Sequence, residues 1–199
     1  MKRIDEITYS IITAIVLYSF ANMANAEDLT KKALTPALNM HEKIIACTIL
    51  MEARGEGNKG MYWVAGVIAQ RMANRGLHGT TVCRQDWQFS CWNKDKRGKR
   101  KTVADVKHLL KTKEATYASL LARSIYMSSR SRTLIDVTYT RHADHYYSKK
   151  YMKKPPYWAF EIIEKDGKEI KIPIKPVAVV GNHVFYRLHK DHKTPTIVK

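Results

Sequence analysis

His41-Glu-Lys-Ile-Ile-Ala-Cys-Thr-Ile-Leu-Met-Glu52-Ala-Arg-Gly-Glu56-Gly57 is the stretch that organises the chain. The run from His41 to Ala53 predicts a helix. Ile44, Ile45, Thr48 and Met51 fall near one stripe, with Cys47 beside it. Gly55 and Gly57, two glycines in three residues, stop that helix. Glu52 then lies in the last turn, where the carbonyl dipoles are negative and a second negative charge is disfavoured. Burial beside Leu50 and Met51 also disfavours the ionised form. A carboxyl that keeps its proton near neutral pH is what a general acid needs. The plain alternative is that Glu52 and Arg54 form a solvated helix end. Glu56 lies four residues on, but Gly55 argues against a shared helical face.

Working outward, a second helix is predicted from Lys59 to Arg75, with Met61, Val64, Ala65, Ile68 and Met72 at helical spacing and Gly76 as its stop. Residues 77–102 read as irregular and aromatic, then strongly basic from Lys94 to Lys101. A third helical stretch covers Val103 to Met127, broken near Lys111–Lys113. From Leu134 the period changes. Val137 to Thr140 is β-like, and His142 to Trp158 reads as irregular and aromatic. Glu161 to Ile172 is a hairpin signal, two alternating arms around Asp166-Gly167. Val177–Val180 and His183–Leu188 form a late strand pair or one bent strand. Helices first and strands later predict an α+β fold.

The 199 residues hold 35 Lys plus Arg against 18 Asp plus Glu, a formal net charge of +17, and 45% are hydrophobic. That balance excludes a disordered chain, a collagen-like repeat and a multi-span membrane protein. Residues 1–26 read as a secretory signal. Lys2 and Arg3 begin it, Ile7 to Phe20 is apolar, and Ala24-Asn25-Ala26 is an A-x-A cleavage site. The alternative is an uncleaved anchor at the inner membrane. Residues 27–39 read as a linker and 40–199 as one catalytic domain. The expected location is outside the cytoplasm, in the periplasm or cell envelope.

Glu52-Ala-Arg-Gly-Glu-Gly is followed by Gly60-Met-x-x-Val-Ala-x-Val-x-x-x-Arg71-Met-Ala-Asn74-Arg75. Then come Thr81-Val-Cys83, Gln88-Phe-Ser-Cys-Trp92, Ala143-Asp-His145-Tyr146, Pro156-Tyr-Trp158-Ala159 and Gly181-Asn-His183-Val-Phe185-Tyr186. These blocks, in this order over about residues 44–188, resemble the SleB-like cell-wall hydrolase family of spore cortex-lytic type. The resemblance implies a lysozyme-like fold and a lytic transglycosylase acting on peptidoglycan. In such enzymes the glutamate closing the first core helix is the catalytic acid/base, here Glu52. It cleaves the MurNAc–GlcNAc bond without water and leaves a 1,6-anhydro end, so the second carboxylate usual in glycosidases is dispensable. Glu56 is then expected to hold its loop through Arg54, Arg71 or a backbone N–H. The family's His-Tyr-His-like run is replaced here by His145-Tyr146-Tyr147, and the residues between Phe160 and Pro176 resemble an inserted hairpin.

Gln88, Phe89, Ser90, Trp92, His145, Tyr146, Tyr147 and Trp158 are the expected glycan contacts, since aromatic faces pack on sugar rings and amides and hydroxyls bond their polar groups. Core packing is the competing reading for Phe89 and Trp158. His183 is expected to make a structural hydrogen bond, and His145 to orient Tyr146 or touch glycan. His142, His145 and His183 as a zinc site is the weaker reading, because no H-E-x-x-H occurs; no metal and no cofactor is expected. Cys83 and Cys91 are disulfide candidates in an exported protein, the alternative being three free thiols with Cys47. The basic runs Lys94–Lys101, Lys149–Lys154 and His189–Lys193 suggest attraction to an anionic envelope. A monomer is expected, with glycan strands as partner and no nucleic acid. The alternatives are a muramidase that uses water and, outside enzymes, a basic envelope- or nucleic-acid-binding domain. A small basic chain of this kind fits a phage endolysin for a Gram-negative wall.

Overall fold

Helix α1, Met40–Ala53, is launched by a reciprocal cap. Asn39 Oδ1 accepts the Glu42 N–H at 2.9 Å, and Glu42 Oε2 accepts the Asn39 N–H at 2.8 Å. Such a capping box is worth on the order of 1 kcal/mol. The computed structural model describes residues 37–131 and 139–188. The expected leader, most of the linker, the β-like start at Val137 and the basic run His189–Lys193 lie outside the described residues.

The single apolar stripe expected of α1 is corrected by its surroundings. Ile45, Ala46, Cys47, Thr48, Ile49 and Leu50 are all fully buried, and successive residues of a helix cannot share one face. The helix is therefore central. It is packed by α2 (Gly57–Arg75), α3 (Gly79–Arg84) and α5 (Ala115–Ser131). A 3-10 turn over Arg54–Glu56 separates α1 from α2. Gly76 closes α2 in the left-handed conformation, φ 64°, with its N–H bonded to the Met72 carbonyl, a conformation that side-chain-bearing residues adopt at a cost.

Where an irregular stretch was expected after Gly76, the chain makes α3 and a 3-10 turn over Ser90–Trp92. Both are too short to print a period in the sequence. The third helical stretch is broken as expected: α4 (Val103–Val106) runs into a 3-10 turn at Lys107–Lys111, and α5 starts at Ala115.

Strands follow the helices. They are β1 (His145–Ser148), β2 (Phe160–Lys165), β3 (Lys168–Pro173), β4 (Ala178–Val180) and β5 (His183–Tyr186). The fold thus mixes helix and strand. β2 and β3 form the expected hairpin, with Lys165 paired to Lys168 across Asp166-Gly167. β4 and β5 are an antiparallel pair rather than one bent strand. β1 corrects the irregular reading of His142–Trp158: it pairs with β5, giving the order β1-β5-β4. Four residues of His-Tyr-Tyr-Ser carry no alternation of apolar and polar types, so the partner strand decides their conformation.

This three-stranded sheet lies on α2. Trp63 and Val67 pack with Ala143, Val180 and Phe185, and the Trp63 and Phe185 rings are 4.9 Å apart. Its other face carries Val184 and Tyr186 against Ala159, Tyr147 and Trp158.

Candidate active site

Glu52 ends the buried helix, and its half-buried carboxylate collects donors from two distant segments. Tyr146 Oη donates to Oε2 at 2.8 Å. The Cys91 N–H donates to Oε1 at 3.2 Å, and Ser90 Oγ approaches the same oxygen at 3.5 Å. Donors aimed at an ionisable carboxyl make stronger bonds when it is charged. The arrangement therefore fixes the orientation of both carboxyl oxygens. Tyr146 stays a donor, because burial first and the neighbouring Glu52 second push its phenol well above the ordinary tyrosine value.

Arg71 brings both segments to Glu52. It projects from α2 and is 5% exposed. Its Nε donates to the Asp144 carbonyl at 2.7 Å, which fixes the entry to β1, and Nη1 donates to the Gln88 carbonyl at 3.0 Å, which fixes the loop before Ser90. The guanidinium also lies 5.0 Å from the centre of the Phe89 ring. Burial lowers its pKa to about 10, still far above neutrality, so the side chain remains cationic. The sequence reading offered Arg71 only as a partner for Glu56, and its bridging role was not foreseen.

Glu56 is held by a different segment. Its two oxygens accept the Asn182 backbone N–H at 2.9 Å and Nδ2 at 3.0 Å. Of the three expected holders, a backbone N–H is the one used; Arg71 points elsewhere and Arg54 is exposed. Burial works to raise the Glu56 carboxyl, but the Asn182 hydrogen bonds, with His183 and Lys150, outweigh it and hold the group below its ordinary value. Gly181 makes room for this: a Cβ there would come 1.5 Å from Glu56 Oε2, and its φ is +55°. His183 follows on β5. It is buried, its Nδ1 has no partner among the described residues, and its ring stands edge-on to Tyr146 at 5.1 Å. The structural hydrogen bond expected of His183 is thus not made through Nδ1. Burial lowers the His183 pKa against the pull of Glu56 and Glu52.

The expected glycan contacts divide sharply. Side chains alternate across a strand, so Tyr146 faces the helices while His145 and Tyr147 point to the opposite side. There they meet Trp158, with ring centroids 5.2 and 6.3 Å away. His145, Tyr147 and Trp158 are therefore not beside Glu52, and His145 does not orient Tyr146: its Nδ1 lies 2.9 Å from the buried Asp144 carboxylate. Phe89 and Trp92 are 1% and 2% exposed, which places them in the core. Trp92 Nε1 donates to Thr48 Oγ1 at 2.8 Å. Gln88 contributes its carbonyl to Arg71, and its buried Oε1 has no partner among the described residues. Ser90 and Tyr146 remain as the two predicted residues at the carboxylate.

The disulfide candidates are also corrected. Cys83 and Cys91 are free, as is Cys47. Cys83 is fully enclosed against Thr48, and the Cys91 thiol faces Glu52. Among the described residues, no group of three or more His, Cys, Asp or Glu side chains is placed to hold a metal. His142 instead meets Gln70 Oε1 at 3.0 Å.

Trp87 was missed. It precedes Gln88, is 84% exposed and has φ 64°. A bulky residue held in the left-handed region is a genuine outlier. Its place in a basic, aromatic loop was visible in the sequence, but its backbone conformation was not. No family model, curated protein or solved structure matches the chain.

Proposed function

We propose that the chain is a lysozyme-like lytic transglycosylase of the SleB-like type that cleaves peptidoglycan glycan strands, with Glu52 as the sole acid/base. The observation that carries this reading is the hydrogen-bonded setting of Glu52. Tyr146 Oη and the Cys91 N–H hold its two oxygens, and the neighbouring Glu56 is engaged with Asn182. One oriented carboxyl without a carboxylate partner suits a reaction that needs no separate base. The protonated Glu52 gives its proton to the leaving glycosidic oxygen as the C1–O bond breaks. The 6-hydroxyl oxygen of the same sugar bonds to C1, and its proton passes to the Glu52 carboxylate. Glu52 ends as it began, and the product carries a 1,6-anhydro ring. Between those two transfers the carboxylate is anionic, and the Tyr146 and Cys91 donors are strongest then.

The formal charge of +17 favours an anionic polymer as partner. A secretory leader would bring the enzyme to the periplasm or envelope, where that polymer lies. Mass spectrometry of purified sacculi digested by the chain tests the reading. Anhydro-ended fragments are expected. Reducing ends would indicate a muramidase, and intact sacculi would exclude glycan cleavage.

A further inference from the structure

Lys149-Lys150-Tyr151-Met152-Lys153-Lys154-Pro155-Pro156-Tyr157 leaves β1 as a solvent-facing loop. All four lysines are exposed, and no Asp or Glu occurs between Asp144 and Glu161 to offset them. Tyr151 and Tyr157 are 79% and 84% exposed, and Met152 is 41% exposed. Lys150 Nζ lies 5.6 Å from the centre of the Tyr151 ring, so cation and ring present one surface. Exposed apolar groups rimmed by charge mark interaction sites.

The base of the loop is tied to the candidate site. The Lys149 N–H donates to the Asn182 carbonyl at 2.8 Å, and Asn182 is the residue that holds Glu56. At the other side of this anchor, the Tyr151 and Met152 N–H groups bond the Ser148 carbonyl at 3.1 and 2.9 Å. Lys150 is also near enough to Glu56 to help hold its carboxyl below the ordinary value, so the start of the loop stands beside Glu56.

We propose that this loop recognises the carboxylate-bearing peptide stems of a glycan strand held at Glu52, an inference that rests on the glycan-cleavage reading. The lysines pair with stem carboxylates, and the two tyrosines offer faces to sugar rings. The loop's apolar content is two phenols, one Met side chain and two prolines, without the Leu, Ile, Val or Phe face that enters lipid. Its anchoring at Asn182 also favours a partner that reaches the site. The enzyme should therefore prefer strands that still carry stems, and this preference should weaken as salt screens exposed charge.

Co-sedimentation of the full chain with purified sacculi tests this. Sacculi with native stems are compared with sacculi whose stem carboxylates have been converted to neutral amides with a carbodiimide and ethanolamine, which keeps the cross-links. Wild type should bind the native form about tenfold more tightly, the order expected of several exposed ion pairs acting together. A variant with Lys149, Lys150, Lys153 and Lys154 all replaced by Gln should bind both forms at the level of the amidated sacculi. Equal wild-type affinity for the two forms overturns the proposal. So does a four-Gln variant that keeps the preference, or one that loses only binding to phosphatidylglycerol vesicles. Cleavage is read separately in the same samples. Stem preference without cleavage supports this inference and overturns the proposed activity, whereas cleavage without stem preference overturns this inference alone.

Discussion

Tyr146 Oη and Glu52 Oε2 lie 2.8 Å apart although 94 positions separate the two residues. One belongs to the edge strand β1 and the other to the last turn of the central helix α1. Arg71 of α2 holds the start of β1 through the Asp144 carbonyl, and α2 in turn packs against α1. The carboxyl is thus oriented by contacts made over most of the described chain.

Tyr146→Phe removes the donor and keeps the ring against His183 and Phe185. A hydrogen bond to a charged group is worth about 1.5–3 kcal/mol, so turnover on sacculi should fall by about 10-fold to 100-fold. The circular dichroism spectrum should be unchanged. Wild-type turnover in this variant would show that the contact plays no part in the reaction.

Gly181→Ala should destabilise the fold. Its Cβ would fall on Glu56 Oε2, and the residue has φ +55°, which costs a side-chain-bearing residue about 1–2 kcal/mol before any clash. Adding Glu56→Ala relieves the clash but not the backbone strain. The double variant should therefore be more stable than the sum of the two single losses, a coupling readable from urea midpoints. Strict additivity would mean that Gly181 and Glu56 do not share the space.

The elements that were legible in the sequence are those with local signals. Gly76 stops α2, and Asp166-Gly167 turns the hairpin, because the backbone conformation there depends on the residue itself. β1 was not legible, since β5 imposes it. The site inherited that gap. Without a strand at His145–Ser148 there was no period of two to separate Tyr146 from His145 and Tyr147, so all three were grouped as glycan contacts. Trp92 was misplaced, and Phe89 was left open between cleft and core, for a related reason: a short loop rich in aromatic residues reads alike whether its rings face a cleft or plug a core. The place of Glu52 in the last turn of α1 was legible because the helix is apolar and followed by glycines; the role proposed for it rests on the resemblance.

Stability should depend on pH in two windows. His183 has a pKa lowered below 6.5 by burial. Between that lowered value and 6.5 the unfolded chain binds more protons, so stability is lost as pH falls through this range. Glu56 is held below 4.5 in the folded chain, so its contribution is present above 4.5 and is lost on further acidification; it should be small, because the group is largely open to solvent. The urea midpoint should drop as pH falls below 6.5, and His183→Phe should flatten that drop. An equal drop in the variant would assign it to another group.

All three cysteines should be recovered as thiols. Burial raises Cys47 to about 11 and Cys83 to about 12, and it raises Cys91 further with the help of Glu52. Thiolate is the reactive form, so a thiol reagent should titrate them slowly in the native protein and at once in denaturant. A non-reducing peptide map with a Cys83–Cys91 cross-link would contradict the arrangement around Glu52.

Glu52→Gln tests the central claim most directly. The amide keeps the shape of the side chain but cannot give a proton and take one back. Purified sacculi are digested with wild type and variant, and the anhydro-ended fragments are counted by mass spectrometry. Wild type should release them, and the folded variant should release fewer by about 100-fold or more, the effect of losing a general acid. A folded Glu52→Gln protein that releases anhydro ends at more than about a tenth of the wild-type rate would contradict Glu52 as the group that moves the proton.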